Sequence, residues 1–319
     1  MQQRIKRILR WAVMAAAILF LGRTLRGHWA EVLALQIQPD AAGRLGASLG
    51  MTLLAHGWSG WAWSWILQAL QQPVGGRWSM VIYLKTNLLK YLPGNIWHFY
   101  GRIQALRSLG IATVPAILGV VLDPVLMAAA ALLVGLAKPT IYWPGQLALL
   151  TLVLAGLHPN VLNPLLRKLS QGKAKSLAAD HNLDGSQALG ASPTASSLPG
   201  DPNSAPALLT HYPLKPLMGE VGFVLLRGLG FGLIVSALSP LPQSLWPTVI
   251  SRFSLAWLAG LIVPGAPGGL GVVEALAVPL LQDTLPVAVI LSAVVLYRLI
   301  STLAEAIGAG IAQALNTLR

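Results

Sequence analysis

Residues 112–137 read ATVPAILGVVLDPVLMAAAALLVGLA, a run in which Asp123 is the single ionisable side chain. About 20 apolar residues in a helix are enough to cross the hydrocarbon core of a bilayer. The run meets that length despite the Asp123-Pro124 interruption, and it decides the class as an integral membrane protein. Working outward, further apolar stretches lie near 8–22, 45–70, 141–157, 216–238 and 287–314. The spacing therefore predicts an all-α polytopic membrane protein with about six full transmembrane helices.

The composition agrees with that class. Of 319 residues, 55% are hydrophobic and 10% charged, and the mean hydropathy is +0.65. Soluble domains carry about 25% charged residues, so this chain cannot coat a globule of its size with polar surface. The net charge of +12 would suggest nucleic acid in a soluble protein. Here the basic residues fall mostly between apolar runs, where they set orientation and meet anionic headgroups. No basic groove or aromatic-basic module is visible, so no nucleic-acid partner is expected. The chain has no cysteine, which excludes disulfides, thiolate metal sites and cysteine nucleophiles.

The first run, Trp11 to Leu21, follows Arg4, Lys6, Arg7 and Arg10 and precedes Arg23 and Arg26. No small-residue cleavage pattern follows it, so it reads as an uncleaved span rather than a signal peptide. In the 45–70 stretch, Trp58, Trp61 and Trp65 share one helix face, with Trp63 off it. That stripe is expected to form an interfacial aromatic belt.

Two stretches are apolar but broken. Near 80–109, two short halves carrying Lys85, Lys90, Arg102 and Arg107 flank Pro93-Gly94-Asn95. Near 246–281, the interruption is Pro264 to Gly271, including Pro267-Gly268-Gly269-Leu270. Both read as re-entrant helical hairpins, since irregular backbone at membrane depth is tolerated only inside protein or along a polar cavity. Lys and Arg concentrate before Trp11, from Arg77 to Arg107 and from Arg167 to Lys215. By the positive-inside rule both termini are cytoplasmic, in a cell inner (plasma) membrane. The two broken stretches would then enter from opposite sides, each with Pro-Gly-x-(Ile/Leu). Interrupted segments in two inverted halves point to a transporter's central site. The expected organisation is a first membrane half over 1–157, a cytoplasmic basic loop over 158–214 and a second membrane half over 215–319. Residues 176–207 hold too few large apolar side chains to fold and are read as disordered.

Ionisable residues in spans are costly, about 2.5–3.5 kcal/mol each on insertion scales, and tend to face a cavity or a partner. The set here is Asp123, Glu220, Arg227, Glu274, Arg298 and Glu305. Glu220 reads as solvated near a span end. Glu274 and Arg298 are candidates to pair, either for function or simply to hold two helices together. Lys90, His98 and Arg102 surround the first Pro-Gly turn, where a helix N-terminus and an arginine suit a phosphate. The same residues also fit a basic interfacial segment touching headgroups without specificity. The candidate substrate-binding set is Lys90, Pro93, Gly94, Asn95, His98, Arg102, Asp123, Arg227, Pro267, Gly268, Gly269, Glu274 and Arg298. No metal-ligand cluster, P-loop or nucleophile elbow is present, and no metal or cofactor is expected.

The run from Asn87 to Arg102, with Pro93-Gly94-Asn95-Ile96, and the run from Pro267 to Ala275, with Tyr297-Arg298 on the following helix, resemble two signatures of one family. It is the membrane (flippase) domain of the lysylphosphatidylglycerol synthase/flippase proteins and their stand-alone relatives. Family members often have Gly-Glu where this chain has Trp97-His98. The resemblance implies movement of a phospholipid or lipid-linked precursor between leaflets. Arg319 directly follows the last span, so no aminoacyltransferase domain is expected within these residues. Two further readings stand beside the translocator. One is a membrane enzyme using His98 and Glu274 as acid and base. The other is an accessory scaffold recruiting a cytosolic enzyme through the basic loop. Homo-oligomerisation stays open.

Overall fold

A computed structural model describes residues 38–91, 96–138, 140–164, 209–263 and 271–317. The expected span near 8–22, the loop near 176–207, Pro93-Gly94-Asn95 and Pro267-Gly268-Gly269 lie outside the described residues. Among those described there are helices and turns but no strand. The helices are α1 (Ala41–Ala69), α2 (Gly76–Asn87), α3 (Trp97–Arg107), α4 (Thr113–Leu136) and α5 (Trp143–Gly156). After the basic loop come α6 (Leu214–Leu238), α7 (Trp246–Ile262), α8 (Val272–Leu281) and α9 (Val287–Thr317).

The chain is a helical, membrane-type protein. Four helical segments are long and apolar enough to cross a bilayer: Thr113–Leu136, Leu214–Leu238, Gln243–Ile262 and Val287–Leu315. Three expectations change in detail. The 141–157 stretch was expected to span, but α5 has 14 residues, about 21 Å at 1.5 Å per residue. It stops at Leu157-His158 because Pro159 disfavours helical backbone at the residue before it. His158 Nδ1 then accepts the Asn160 N–H at 3.2 Å, opening a new turn. The broken stretch near 246–281 is unequal. With its leading 3-10 turn, α7 is long enough to cross on its own, whereas α8 has 10 residues.

The third change concerns α1. It has 29 residues but is not among the four apolar crossers. The cause is a set of polar side chains, Ser48, Thr52, His56, Ser59 and Ser64, all turned inward and buried. Its main neighbours are α6, α2 and α9, so it is the central post of the bundle. Trp63, off the stripe, is wholly buried and donates its indole N–H to the Gly119 carbonyl at 2.8 Å. Trp58 and Trp61 keep partly exposed faces, but Trp58 also donates to the Gly219 carbonyl of α6 at 2.7 Å. Part of the tryptophan cluster is thus a helix-packing surface, because an indole N–H in an apolar body needs an acceptor.

The first broken stretch has two short arms, α2 and α3, joined through a 3-10 turn at Leu88–Tyr91 and the undescribed residues 92–95. Gly60 lets α2 lie directly on α1, since a Cβ there would fall 2.8 Å from the Met80 Cα. Close approach through small residues is the usual packing device between membrane helices. It brings Tyr83 of α2 against Ser59 of α1. The apolar core has two main parts. One gathers α1, α2, α4 and α6 around Trp63, Leu67 and Leu126. The other gathers α6, α7, α8 and α9 around the stacked pair Phe231–Phe253, 4.1 Å between centroids.

Candidate functional site

A row of buried charged and polar groups lies among these helices, starting at the 3-10 turn. Lys90 Nζ is 2.5 Å from Glu305 Oε1 of α9, and His56 Nε2 of α1 is 3.2 Å from the same oxygen. The Glu305 and His56 side chains are sealed, whereas Lys90 keeps 21% of its side-chain exposure. Beside it, the Tyr91 hydroxyl and Thr302 Oγ1 lie 3.0 Å apart at the surface. These contacts tie the 3-10 turn after α2 to α9.

His56 Nδ1 and Asn87 Nδ2 are 3.5 Å apart, and Asn87 Oδ1 accepts from Arg102 Nη2 at 3.4 Å. Both distances are at the long end for hydrogen bonds. Arg102 is 2% exposed and donates through Nη1 to Asp123 Oδ2 at 3.0 Å. Its Nε reaches Thr86 Oγ1 at 3.3 Å, and its guanidinium lies 3.5 Å from the Tyr83 ring centroid. Tyr83 also donates to Asp123 Oδ2 at 3.2 Å and accepts from Ser59 at 2.9 Å. Asp123 therefore serves an arginine and a tyrosine, beyond any role at the Pro124 interruption.

Glu220 of α6 is completely buried, and neither carboxyl oxygen has a hydrogen-bond partner. The solvated position expected for it is wrong. α6 starts at Leu214, so Glu220 is nearly two turns inside the body, within reach of the Asp123 and Arg102 charges. Arg227, two turns further along α6, is 7% exposed. Its guanidinium sits 5.0 Å from the Trp257 ring, 5.3 Å from Tyr297 and 5.4 Å from Phe223.

Glu274 and Arg298 form a two-pronged pair, Arg298 Nη2 to Glu274 Oε2 at 2.9 Å and Nε to Oε1. Glu274 is in the first turn of α8, aimed by Gly271, whose φ of 80° is a left-handed backbone that glycine adopts freely. Arg298 and Glu305 share α9 but are held by different partners. Arg252 of α7 donates to the Leu280 carbonyl at 3.0 Å and, at the α8–α9 connection outside the spans, to Thr284 Oγ1 at 2.9 Å and to Asp283. That hydrogen bond holds the Asp283 carboxyl below its ordinary range.

The structure thus joins Lys90, Arg102 and Asp123 into one row, places Arg227 and the Glu274–Arg298 pair on α6, α8 and α9, and puts His98 within range of the Lys90, Arg102 and Glu305 charges but outside the row's hydrogen bonds. The His98 Nδ1 is unpartnered and its ring rests against Phe99 at 3.8 Å, while Glu274 is engaged by Arg298. Lys90 and Arg102 were expected to be open to a phosphate, but carboxylates hold both. Sequence reasoning missed His56, Tyr83, Thr86 and Asn87, and did not give Glu305 a role. The available signal was Ser48, Thr52, His56 and Ser59, polar residues at helical spacing within an otherwise apolar stretch.

No family model matches this sequence, and no curated protein matches it either.

Proposed function

We propose that this chain is a lipid translocator of the inner (plasma) membrane, moving a phospholipid or lipid-linked precursor between leaflets. Six spans and two re-entrant hairpins, with both termini cytoplasmic, would frame its path. The observation that supports this reading is the row of buried charges from Lys90 and Glu305 through His56, Asn87 and Arg102 to Asp123. Each charged member of the row costs about 2.5–3.5 kcal/mol on insertion scales, and apolar replacements often hold helices together equally well. A body that retains so many polar groups has a use for a polar interior.

In this reading the paired charges form the walls and gates of the path. The Lys90–Glu305 and Tyr91–Thr302 contacts join the first hairpin to α9 near a surface that Lys90 still reaches. Parting them opens the row to one leaflet. Rocking of one half against the other then exposes it to the opposite leaflet, as in other transporters with interrupted helices. The Glu274–Arg298 pair holds α8 against α9 during that motion or meets the headgroup in passing.

The test is exchange of fluorescent phospholipids between leaflets of reconstituted liposomes. The full chain should accelerate exchange over protein-free vesicles. Arg298→Ala should abolish the acceleration in protein that still inserts, and a variant that fails to insert or fold would assign the Glu274–Arg298 pair a structural role instead. Wild-type vesicles that exchange no faster than empty ones, for every headgroup tried, would contradict the reading.

A further inference from the structure

Among the described residues, Lys90 pairs with Glu305, Arg102 with Asp123, Arg298 with Glu274 and Arg252 with Asp283. Arg227 has no carboxylate partner among them. It is 7% exposed, and its Nε has no hydrogen-bond partner. The second observation is Tyr297, on a different helix. Its ring forms part of the cage around Arg227, it is 5% exposed, and its hydroxyl also lacks a partner. Arg227 of α6 and Tyr297 of α9 therefore lie side by side with weak mutual hydrogen bonding, and neither the Arg227 Nε nor the Tyr297 hydroxyl makes a well-formed bond.

The rings of Phe223, Trp257 and Tyr297 attract the guanidinium through their π faces. They supply no lone pair for its N–H groups, and a buried charge is normally hydrogen-bonded as well as paired. An anion with several acceptor oxygens would satisfy both donors, which the Glu305 carboxylate, engaged by Lys90 and His56, reaches only through its field. A guanidinium presents a planar fork of donors that fits the oxygens of a phosphate two at a time. A phenol hydroxyl beside it can donate to a third oxygen. The apolar walls suit a phosphate that carries hydrocarbon.

We infer that Arg227 and Tyr297 form an anion site for a phosphate group, with Phe223 and Trp257 orienting the guanidinium. The inference rests on the translocator reading for its lipid context, since the same donors would also hold free phosphate. It moves the phosphate contact from Lys90 and Arg102 to α6 and α9.

Isothermal titration of the detergent-solubilised full chain tests it, using dihexanoylphosphatidylglycerol and, separately, inorganic phosphate. The short-chain lipid should bind the wild type, about tenfold more weakly in Arg227→Gln and about threefold more weakly in Tyr297→Phe, as expected for loss of charged and neutral hydrogen bonds. Tyr297→Phe keeps the ring and the packing, so its effect does not depend on how well Arg227→Gln folds. If inorganic phosphate binds as tightly and with the same dependence on both residues, the site stands and free phosphate is its ligand. Equal affinity of wild type and both variants for either probe, or no binding of either, overturns the site. Leaflet exchange separates the two claims. Binding that depends on Arg227 without exchange removes the translocator alone. Exchange by the wild type with no effect of either variant removes this site alone.

Discussion

Replacing Asp123 by alanine should lower the unfolding free energy by about 3–5 kcal/mol, because it leaves Arg102 charged, buried and without its carboxylate. Arg102 cannot reach water by a change of rotamer. It is 2% exposed and confined by Tyr83, Trp63 and Thr86. The same deletion removes the acceptor of the Tyr83 hydroxyl. Glu220→Leu should behave in the opposite sense. Its carboxyl oxygens have no partner to lose, so an apolar side chain of similar size removes a desolvated polar group and raises the melting temperature. Thermal unfolding of both variants in one detergent, followed by circular dichroism, checks the contrast. An Asp123→Ala protein as stable as wild type would mean that the Arg102–Asp123 pair does not hold α3 to α4.

The Lys90–Glu305 contact should respond differently. Glu305→Gln should cost less stability than Asp123→Ala, since Lys90 retains 21% exposure and its flexible stem can carry the ammonium outward. Its effect on transport should be larger. With Glu305 neutral, Lys90 and His56 lose the charge that draws the first hairpin back onto α9, and exchange should fall by about tenfold, equivalent to roughly 1.4 kcal/mol of barrier. Exchange rates and melting curves measured on the same preparation would show whether the two effects separate. A variant that loses stability in proportion to transport would assign the contact a structural role alone.

The membrane class was legible because the 112–137 run carries a single ionisable residue, and α4 occupies Thr113–Leu136. The α6 and α9 helices lie over stretches whose periodic apolar character needed no context. Expectations were less accurate where composition and depth part company. The sequence near 45–70 reads as an ordinary span, yet its hydroxyls and His56 face neighbouring helices, a fact set by the packing of α2 and α6 on α1. Near 141–157, apolar content suggested a crossing that the proline after His158 cuts short. Pairings across the fold were harder still. Lys90 and Glu305 are separated by most of the chain, and only the docking of α2 and its 3-10 turn on α9 brings them together. Glu220 shows the limit in the other direction, because its position near the start of α6 suggested water while the packing of α1 and α4 excludes it.

The most direct measurement uses the absence of cysteine in this chain. Tyr91→Cys combined with Thr302→Cys places two thiols at the accessible edge between the 3-10 turn after α2 and α9, keeping Lys90 and Glu305 themselves. Bridging them with a short bismaleimide in reconstituted vesicles should stop phospholipid exchange. Each single-cysteine variant treated identically should exchange like wild type. Exchange at an undiminished rate in the bridged protein would contradict a path that opens between the first hairpin and the last helix.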